Sequence, residues 1–212
     1  MKSGADEVIV AADTKEICDA VEAVGGKTRL TDPNHESGTD RIAEVAVREK
    51  WTDDTVVVNL QGDEPFVDPD HISLCAKSLL SGIADMATLA TPIRDPSPVF
   101  DPNVVKVVFD SNYLALYFSR APIPWVRGLF QDGQQQKALP PNVPFWAHVG
   151  MYAYRTKTLR KLTAEHASRL ESAEKLEQLR ALSCGIKIAV ATVEHSAPGV
   201  DTEEDLRRAL RI

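Results

Sequence analysis

Thr55-Val56-Val57-Val58-Asn59-Leu60, followed without a break by Gln61-Gly62-Asp63-Glu64-Pro65, is the stretch that decides the fold. Its near-continuous apolar run, rich in β-branched residues, predicts a strand buried on both faces, as in a parallel sheet covered by helices. Upstream, Val8 to Ala12 reads as an earlier strand. Asp13-Thr14 then opens an amphipathic helix through about Val24, and Gly25-Gly26 closes it. Thr28 to Leu30 reads as a short strand, and a helix from about Thr39 to Glu49 turns Ile42, Val45 and Ala46 inward. Downstream, Pro69 to Leu80 reads as a helix with Pro69 in its first turn, and Ala87 to Ala90 as the next strand. This alternation defines the α/β class, with a mainly parallel, doubly wound sheet.

The alternation breaks at Pro92. Val104 to Phe109 and Tyr113 to Phe118, joined through Asp110-Ser111-Asn112, predict an antiparallel hairpin, and Ser119 to Pro144 is a Pro- and Gln-rich aperiodic loop. A loop that long inside a compact domain is usually functional or a subunit contact. A strand over Trp146 to Tyr154 follows, then helices around Thr156 to Leu162 and Ser172 to Cys184. Ile186 to Val193 reads as a late strand and Thr202 to Leu210 as a closing helix. The whole reads as one domain, residues 1–212, with an insertion at about 92–146.

A chain of 212 residues at 43% apolar can bury one sizeable core. With 24 Lys and Arg against 31 Asp and Glu, its net charge of −7 argues against nucleic acid or a membrane surface as partner. An anionic substrate must therefore be held by a local cluster of Arg, Lys or metal ion. Cys18, Cys75 and Cys184 show neither a disulfide framework nor zinc spacing, and no run is long enough to span a membrane. A cytosolic location is expected.

Asp63 follows the clearest strand, where a doubly wound sheet presents its ligand, and Gly62 permits close approach of the backbone. Its hard oxygens suit Mg²⁺; the competing reading is a turn in which Asp63 or Glu64 caps the helix after Pro69. A second acidic stretch, Gly199-Val200-Asp201-Thr202-Glu203-Glu204-Asp205, also reads as an N-capping box. If Asp201 faces Asp63, carboxylates ~4 Å apart would repel by ~4 kcal/mol at an effective dielectric of about 20. A divalent cation reverses that sign.

In His35-Glu36-Ser37-Gly38-Thr39-Asp40-Arg41, Ser37 and Thr39 supply hydroxyls at a helix N-terminus, and Gly38 admits a ligand to the backbone; a plain cap is the alternative. Arg120, leaving the hairpin in Phe118-Ser119-Arg120, either clamps a carboxylate or is solvated. His148 and Tyr152 share one strand face with Gly150 between them, forming either a ligand wall or the site of a satisfied core histidine. In Glu174-Lys175-Leu176-Glu177-Gln178-Leu179-Arg180, Leu176, Leu179 and Leu182 form a buried stripe. Glu177 and Gln178 either reach a polyol or lie on a solvated face.

Together and in this order, HESGTDR, VVNLQGDEP, FSRAPIP, HVGMYAYR, EKLEQLR and GVDTEEDL resemble the 3-deoxy-manno-octulosonate cytidylyltransferases across essentially the whole chain. LQGDEP with HVGMYAYR and EKLEQLR separates that family from the sialic-acid cytidylyltransferases and sugar-phosphate nucleotidylyltransferases. The resemblance implies a nucleotide-diphospho-sugar transferase-like fold. It also implies attack of the anomeric 2-hydroxyl of 3-deoxy-D-manno-octulosonate (KDO) on the α-phosphate of CTP, giving CMP-KDO and pyrophosphate for lipopolysaccharide biosynthesis. Asp63 and Asp201 would hold Mg²⁺, with no protein nucleophile. Arg120 would meet the KDO carboxylate, and Gln61, His148, Tyr152, Glu177 and Gln178 the sugar hydroxyls. Ser37, Gly38, Thr39, Asp40 and Arg41 would lie near the cytidine. A homodimer is implied, with the 92–146 insertion contributing to it and to the sugar site.

Nothing at positions 1 to 12 resembles the buried strand and basic phosphate-gripping loop with which that family begins, so a segment is expected to be absent ahead of Met1. A central strand of that kind contributes on the order of 10 kcal/mol, comparable to the stability of a whole domain, so the chain alone is expected to be marginal or unfolded, and catalytically poor. A non-catalytic remnant or sugar-acid-binding module is the alternative reading, and a nucleotide-sugar glycosyltransferase another. The latter needs a DxD and an acceptor-binding half that the sequence does not display. An 8-amino variant of KDO is also open as substrate.

Overall fold

The structure, a computed structural model, describes residues 2–35, 37–130, 138–197, 199–200 and 202–210, without the side chains of 208 and 209. The first three helices start where the sequence places them, to within a residue. After β1 (Ile9–Ala12), Thr14 Oγ1 accepts the Ile17 N–H to open α1 (Lys15–Ala23), which Gly25 closes at φ +82°. β2 (Lys27–Leu30) leads to α2 (Gly38–Arg48), whose N-cap Ser37 accepts the Asp40 N–H at 3.1 Å and donates to the Asp40 carboxylate at 2.7 Å. β3 (Val56–Leu60) is followed by α3 (Pro69–Leu80), capped by Asp68 with Pro69 as its first residue. β4 (Met86–Pro92) completes the alternating half.

The second half contains α4 (Pro96–Phe100), which the sequence reading did not place, then β5 (Lys106–Phe109) and β6 (Ala115–Ser119). The hairpin is the expected one: Asp110 Oδ1 accepts the N–H groups of Asn112 and Leu114 at 2.8 and 2.9 Å and bends the chain between the strands. β7 (Trp146–Arg155), α5 (Thr156–Ala164), α6 (Arg169–Glu174), α7 (Gln178–Ser183), β8 (Ile188–Thr192) and α8 (Glu203–Ala209) follow. The single helix expected over Ser172 to Cys184 is two, because Lys175 turns left-handed at φ 55°, ψ 49°. That break lets Leu176 drop into the core, at 6% exposure, while Glu171 and Arg180 clasp each other across it.

β1 and β2 form a parallel pair of their own; the other six strands form one mixed sheet. β7 is its spine. One edge pairs antiparallel with β4, from Met86 opposite Tyr154 to Pro92 opposite Trp146. The other edge pairs with β3, from Val56 opposite Arg155 to Leu60 opposite Met151, and then with β5 at Lys106 opposite Ala147. β8 lies parallel beyond β4, and β6 antiparallel beyond β5. β3, β4, β5 and β8 therefore share one direction, in keeping with the expected α/β sheet, but the reversed β7 makes most of its ladders antiparallel. β3 corrects the reading of its own sequence. Both faces are covered, Val57 in one apolar cluster and Val56 and Val58 partly buried in the other, yet its ladder is antiparallel. An apolar run reports burial and says nothing about the direction of the neighbouring strand.

α2, α5 and α7 cover one face of the sheet, over Val57, Tyr152 and Tyr154; α3 covers the other, over Leu89, Met151 and Ala153. Each fully buried large apolar side chain here contributes roughly 1.5 to 3 kcal/mol. The loop after β6 brings a small core of its own, Phe130 and Phe145 against Val99; its segment 131–137 lies outside the described residues. Cys18, Cys75 and Cys184 are free thiols.

The Glu171–Arg180 pair is nearly enclosed, and Glu171 also completes a capping box with Ser168. Glu171→Ala leaves a guanidinium buried without its partner, so urea unfolding should show a loss of about 3 kcal/mol. A midpoint equal to that of the unaltered chain would contradict this.

Candidate active site

β3 ends at an exposed Leu60, and Gln61 to Glu64 make a turn closed by the Glu64 N–H on the Gln61 carbonyl at 3.2 Å. Asp63 does not cap α3, since Asp68 does. Its Oδ1 is instead buried without a hydrogen-bond partner among the described residues. A buried carboxylate oxygen with no donor is costly unless something absent from the polypeptide meets it, and a hard divalent cation is the group its chemistry suits. A Cβ added to Gly62 would touch nothing within 4 Å, so open space lies beside the turn. The Val200 N–H donates to the Asp63 carbonyl at 2.7 Å, which brings the second acidic stretch against the first. Asp201 lies outside the described residues. The cap of α8 is made by Thr202 and Asp205, which exchange bonds of 3.1 and 3.2 Å.

The face of β7 turned toward α2 and α7 carries the next group. His148 and Tyr152 share it, with ring centroids 5.3 Å apart, and a Cβ on Gly150 between them would meet nothing within 4 Å. Thr88, which the sequence reading passed over, sets the imidazole. Its Oγ1 lies 2.7 Å from the Met151 carbonyl, to which it donates, and 2.9 Å from His148 Nε2. With its proton engaged, Thr88 accepts from Nε2–H, leaving Nδ1 as a hydrogen-bond acceptor. Burial pushes the His148 pKa down to about 3, and burial followed by the Glu177 charge holds the Tyr152 phenol well above its ordinary value. Both are therefore neutral at physiological pH. A cleft of about 680 Å³ opens beside His148 and Gly150, bordered by Thr91, Arg94, Val104 and Glu194. A second hollow of about 680 Å³, at Leu30, His35 and Arg48, touches none of these wall residues.

The break at Lys175 starts α7 beneath this face. Gln178 is buried at 4% exposure, so the solvated-face reading of that helix is wrong for it, and Glu177 accepts a hydrogen bond from Thr39 Oγ1 at 2.6 Å. Burial raises the Glu177 pKa, more than the Thr39 hydrogen bond lowers it. That bond joins two motifs read separately, the Ser37–Arg41 turn and the Glu174–Arg180 stretch. Ser37 and Asp40 cap each other beside it, whereas Arg41 turns away, to Thr31 Oγ1 at 2.6 Å and Asp13 at 3.2 Å. Arg120 is not the solvated loop arginine of the alternative reading: its Nε donates to the Glu174 carbonyl at 2.8 Å and its Nη1 to that of Pro102 at 2.9 Å. Lys106, also passed over, is wholly buried below it. The signal was a lone charge inside the apolar run Val104 to Phe109. Among the described residues no cluster of three His, Cys, Asp or Glu forms a metal site by itself, and no helix is long and apolar enough to cross a membrane.

A family model described as cytidylyltransferase matches residues 1–188, which defines the class. The chain is 49% identical over 214 residues to the 3-deoxy-manno-octulosonate cytidylyltransferase of Methylococcus capsulatus, covering 100% of this chain and 82% of that protein. It is 47% identical over 213 residues to the protein of the same name from Pseudomonas fluorescens, covering 100% of this chain and 83% of that one. The chain belongs to the 3-deoxy-manno-octulosonate cytidylyltransferase family. A solved CMP:2-keto-3-deoxy-manno-octonic acid synthetase complexed with CTP superposes with a TM-score of 0.86 at 36% identity, over 98% of this chain and 82% of that one. HddC from Yersinia pseudotuberculosis, complexed with GMP-PN, shares the fold at a TM-score of 0.59 and 12% identity, over 99% of this chain and 79% of that one.

Two outcomes are expected from the electrostatics. The ring proton shifts of His148 should not titrate in NMR spectra between about pH 8 and pH 5, because the imidazole protonates only near a pKa of about 3. A midpoint near 6.5 would show the ring to be solvated. For Glu177, whose pKa is raised above the ordinary 4.5, the unfolded chain loses its proton first. Stability from the protonated form is complete below the unfolded value and is lost as pH rises through the folded one. Glu177→Gln should therefore gain in melting temperature relative to the unaltered chain as pH rises from 4 toward 7, and a difference flat in pH would contradict this.

Proposed function

We propose that the chain transfers CMP from CTP to KDO, releasing pyrophosphate and supplying CMP-KDO for lipopolysaccharide assembly. The observation that carries the reading is the buried Asp63 Oδ1 at the exit of β3, without a hydrogen-bond partner among the described residues. The KDO 2-hydroxyl oxygen forms a bond to the α-phosphorus, the bond from that phosphorus to the bridging oxygen of the β-phosphate breaks, and the hydroxyl proton is lost. Asp63 and Asp201 are the residues that would hold Mg²⁺. When bound, the ion draws charge from the α-phosphate.

The side chains position and discriminate, which is most of what phosphoryl-group chemistry asks of a protein. Neutral His148, through Nδ1, accepts from a sugar hydroxyl, while the protonated Tyr152 donates. Gln61, Glu177 and Gln178 complete the polyol contacts, and Arg120 takes the carboxylate bidentately. Ser37, Gly38, Thr39, Asp40 and Arg41 lie toward the cytidine. The Thr39–Glu177 hydrogen bond supports the two substrates lying side by side. Apolar side chains that 92–146 leaves exposed, among them Phe100, Trp125 and Leu129 at 39%, 54% and 37%, support a homodimer through that segment. A cytoplasmic location accords with three free thiols.

Pyrophosphate release from CTP, KDO and Mg²⁺ tests the reading directly. Asp63→Asn should reduce turnover at least about a hundredfold, with thermal unfolding essentially unchanged, and removal of the divalent ion by a chelator should reduce it further. Undiminished turnover in Asp63→Asn would remove the metal assignment.

A further inference from the structure

Lys106 and Glu174 have no role in the reaction as described so far, yet they meet at one residue. The register of the β5–β6 hairpin sets Lys106 opposite Ser119, one position before Arg120. Lys106 is fully buried, and its ammonium donates to three main-chain carbonyls, those of Asp101 at 2.8 Å, Val104 at 2.5 Å and Arg120 at 2.6 Å. With three donors and three acceptors the group is used up, so it cannot also reach a ligand. Burial depresses its pKa, which marks the site as a costly place for a charge.

Glu174 grips the same bend from the other side. Oε1 accepts from Ser119 Oγ at 2.7 Å, and Oε2 accepts the Arg120 main-chain N–H at 2.8 Å. The Glu174 carbonyl takes Arg120 Nε, the Pro102 carbonyl takes Nη1, and the Ala121 N–H closes the bend on Ser119 Oγ at 2.9 Å. Arg120 is thus fixed at its N–H, its C=O and two nitrogens of its fork. A guanidinium has five N–H donors, so three are left to face a ligand. An arginine held this way has already given up the freedom that a solvated one loses when an anion binds.

We infer that Lys106 and Glu174 are positioning residues that hold Arg120 set for the carboxylate of the acceptor sugar acid. The inference rests on the function proposed above, which places that carboxylate on Arg120. The measurement is calorimetric binding of KDO and of its C1 carboxamide, which needs no turnover, with CTP binding alongside. The unaltered chain should favour the acid by about ten- to a hundredfold. Glu174→Ala and Lys106→Met should each lower that ratio at least about fivefold while CTP affinity stays within about twofold. Glu174→Gln, which keeps an acceptor for the Arg120 N–H, should retain most of the preference.

An unchanged acid-to-amide ratio in Glu174→Ala overturns the inference, as does equal weakening of CTP and the acid, which is what mere damage to the fold would give. Should a truncation fail to fold, Glu174→Asp, one methylene shorter, carries the same test: it should lower the ratio, and an unchanged ratio overturns the inference. Binding without turnover in the unaltered chain would overturn the proposed reaction and leave the positioning to be judged on the ratio. No preference for the acid in the unaltered chain would overturn the placement of the carboxylate and the positioning together.

Discussion

The site hangs on one constraint, the reversed direction of β7. Across ten residues, from Trp146 to Arg155, it gives one edge to β4 and divides the other between β3 and β5. Because side chains alternate along a strand, this ladder sends His148, Gly150 and Tyr152 to the face under α2 and α7, and Val149, Met151 and Ala153 to the face under α3. A slip of one residue would exchange the two sets. The register is held by the apolar packing on both faces and by the Thr88 hydroxyl, which bonds the Met151 carbonyl and the His148 ring together. The irregularity between Thr88 and Leu89 falls opposite Gly150, where a bulge opens room without turning the neighbours over.

Charge is distributed with the same economy. The chain carries a net −7, so its overall field does not attract a sugar acid or a triphosphate. Apart from the Glu177 carboxyl, the wall that meets hydroxyl groups is neutral: an imidazole that burial prevents from protonating, a phenol that burial prevents from ionising, and an amide. In a partly dehydrated site such groups discriminate by direction of donation and acceptance, and each is expensive to leave unmatched. Formal charge lies at Arg120 and Asp63 as well. Arg120 is fastened by main-chain groups rather than neutralised by a carboxylate on its fork, and Asp63 keeps one buried oxygen unmatched.

Much of this can be read along the chain wherever the cause is local. α3 begins and ends where Pro69 and the periodic apolar residues place it, and the caps at Thr14 and Ser37 follow from hydroxyl groups ahead of an amphipathic run, whereas α3 is capped by Asp68 and not by the Asp63 or Glu64 that the sequence offered. The wall residues His148 and Tyr152 follow from period two alone. The break at Lys175 could not be read, because the stripe of Leu176, Leu179 and Leu182 suits an unbroken helix; it exists because Glu171 and Arg180 clasp across it and the core takes Leu176. Lys106 and Thr88 were legible only as polar residues out of place in apolar strands.

The sequence by itself determined the α/β class, the position of the acidic turn after β3, the face shared by His148 and Tyr152, and the family. Each of these depends on residues near one another in the chain, through capping, periodicity or an unbroken motif. Tertiary structure alone decided that β7 runs against its neighbours, that Thr39 reaches Glu177 across 138 positions, and that Lys106 and Glu174 converge on Arg120. Those contacts join distant segments. Their partners are chosen by burial, by hydrogen-bond geometry and by the need to satisfy every buried polar group, and none of these quantities exists until the chain has folded.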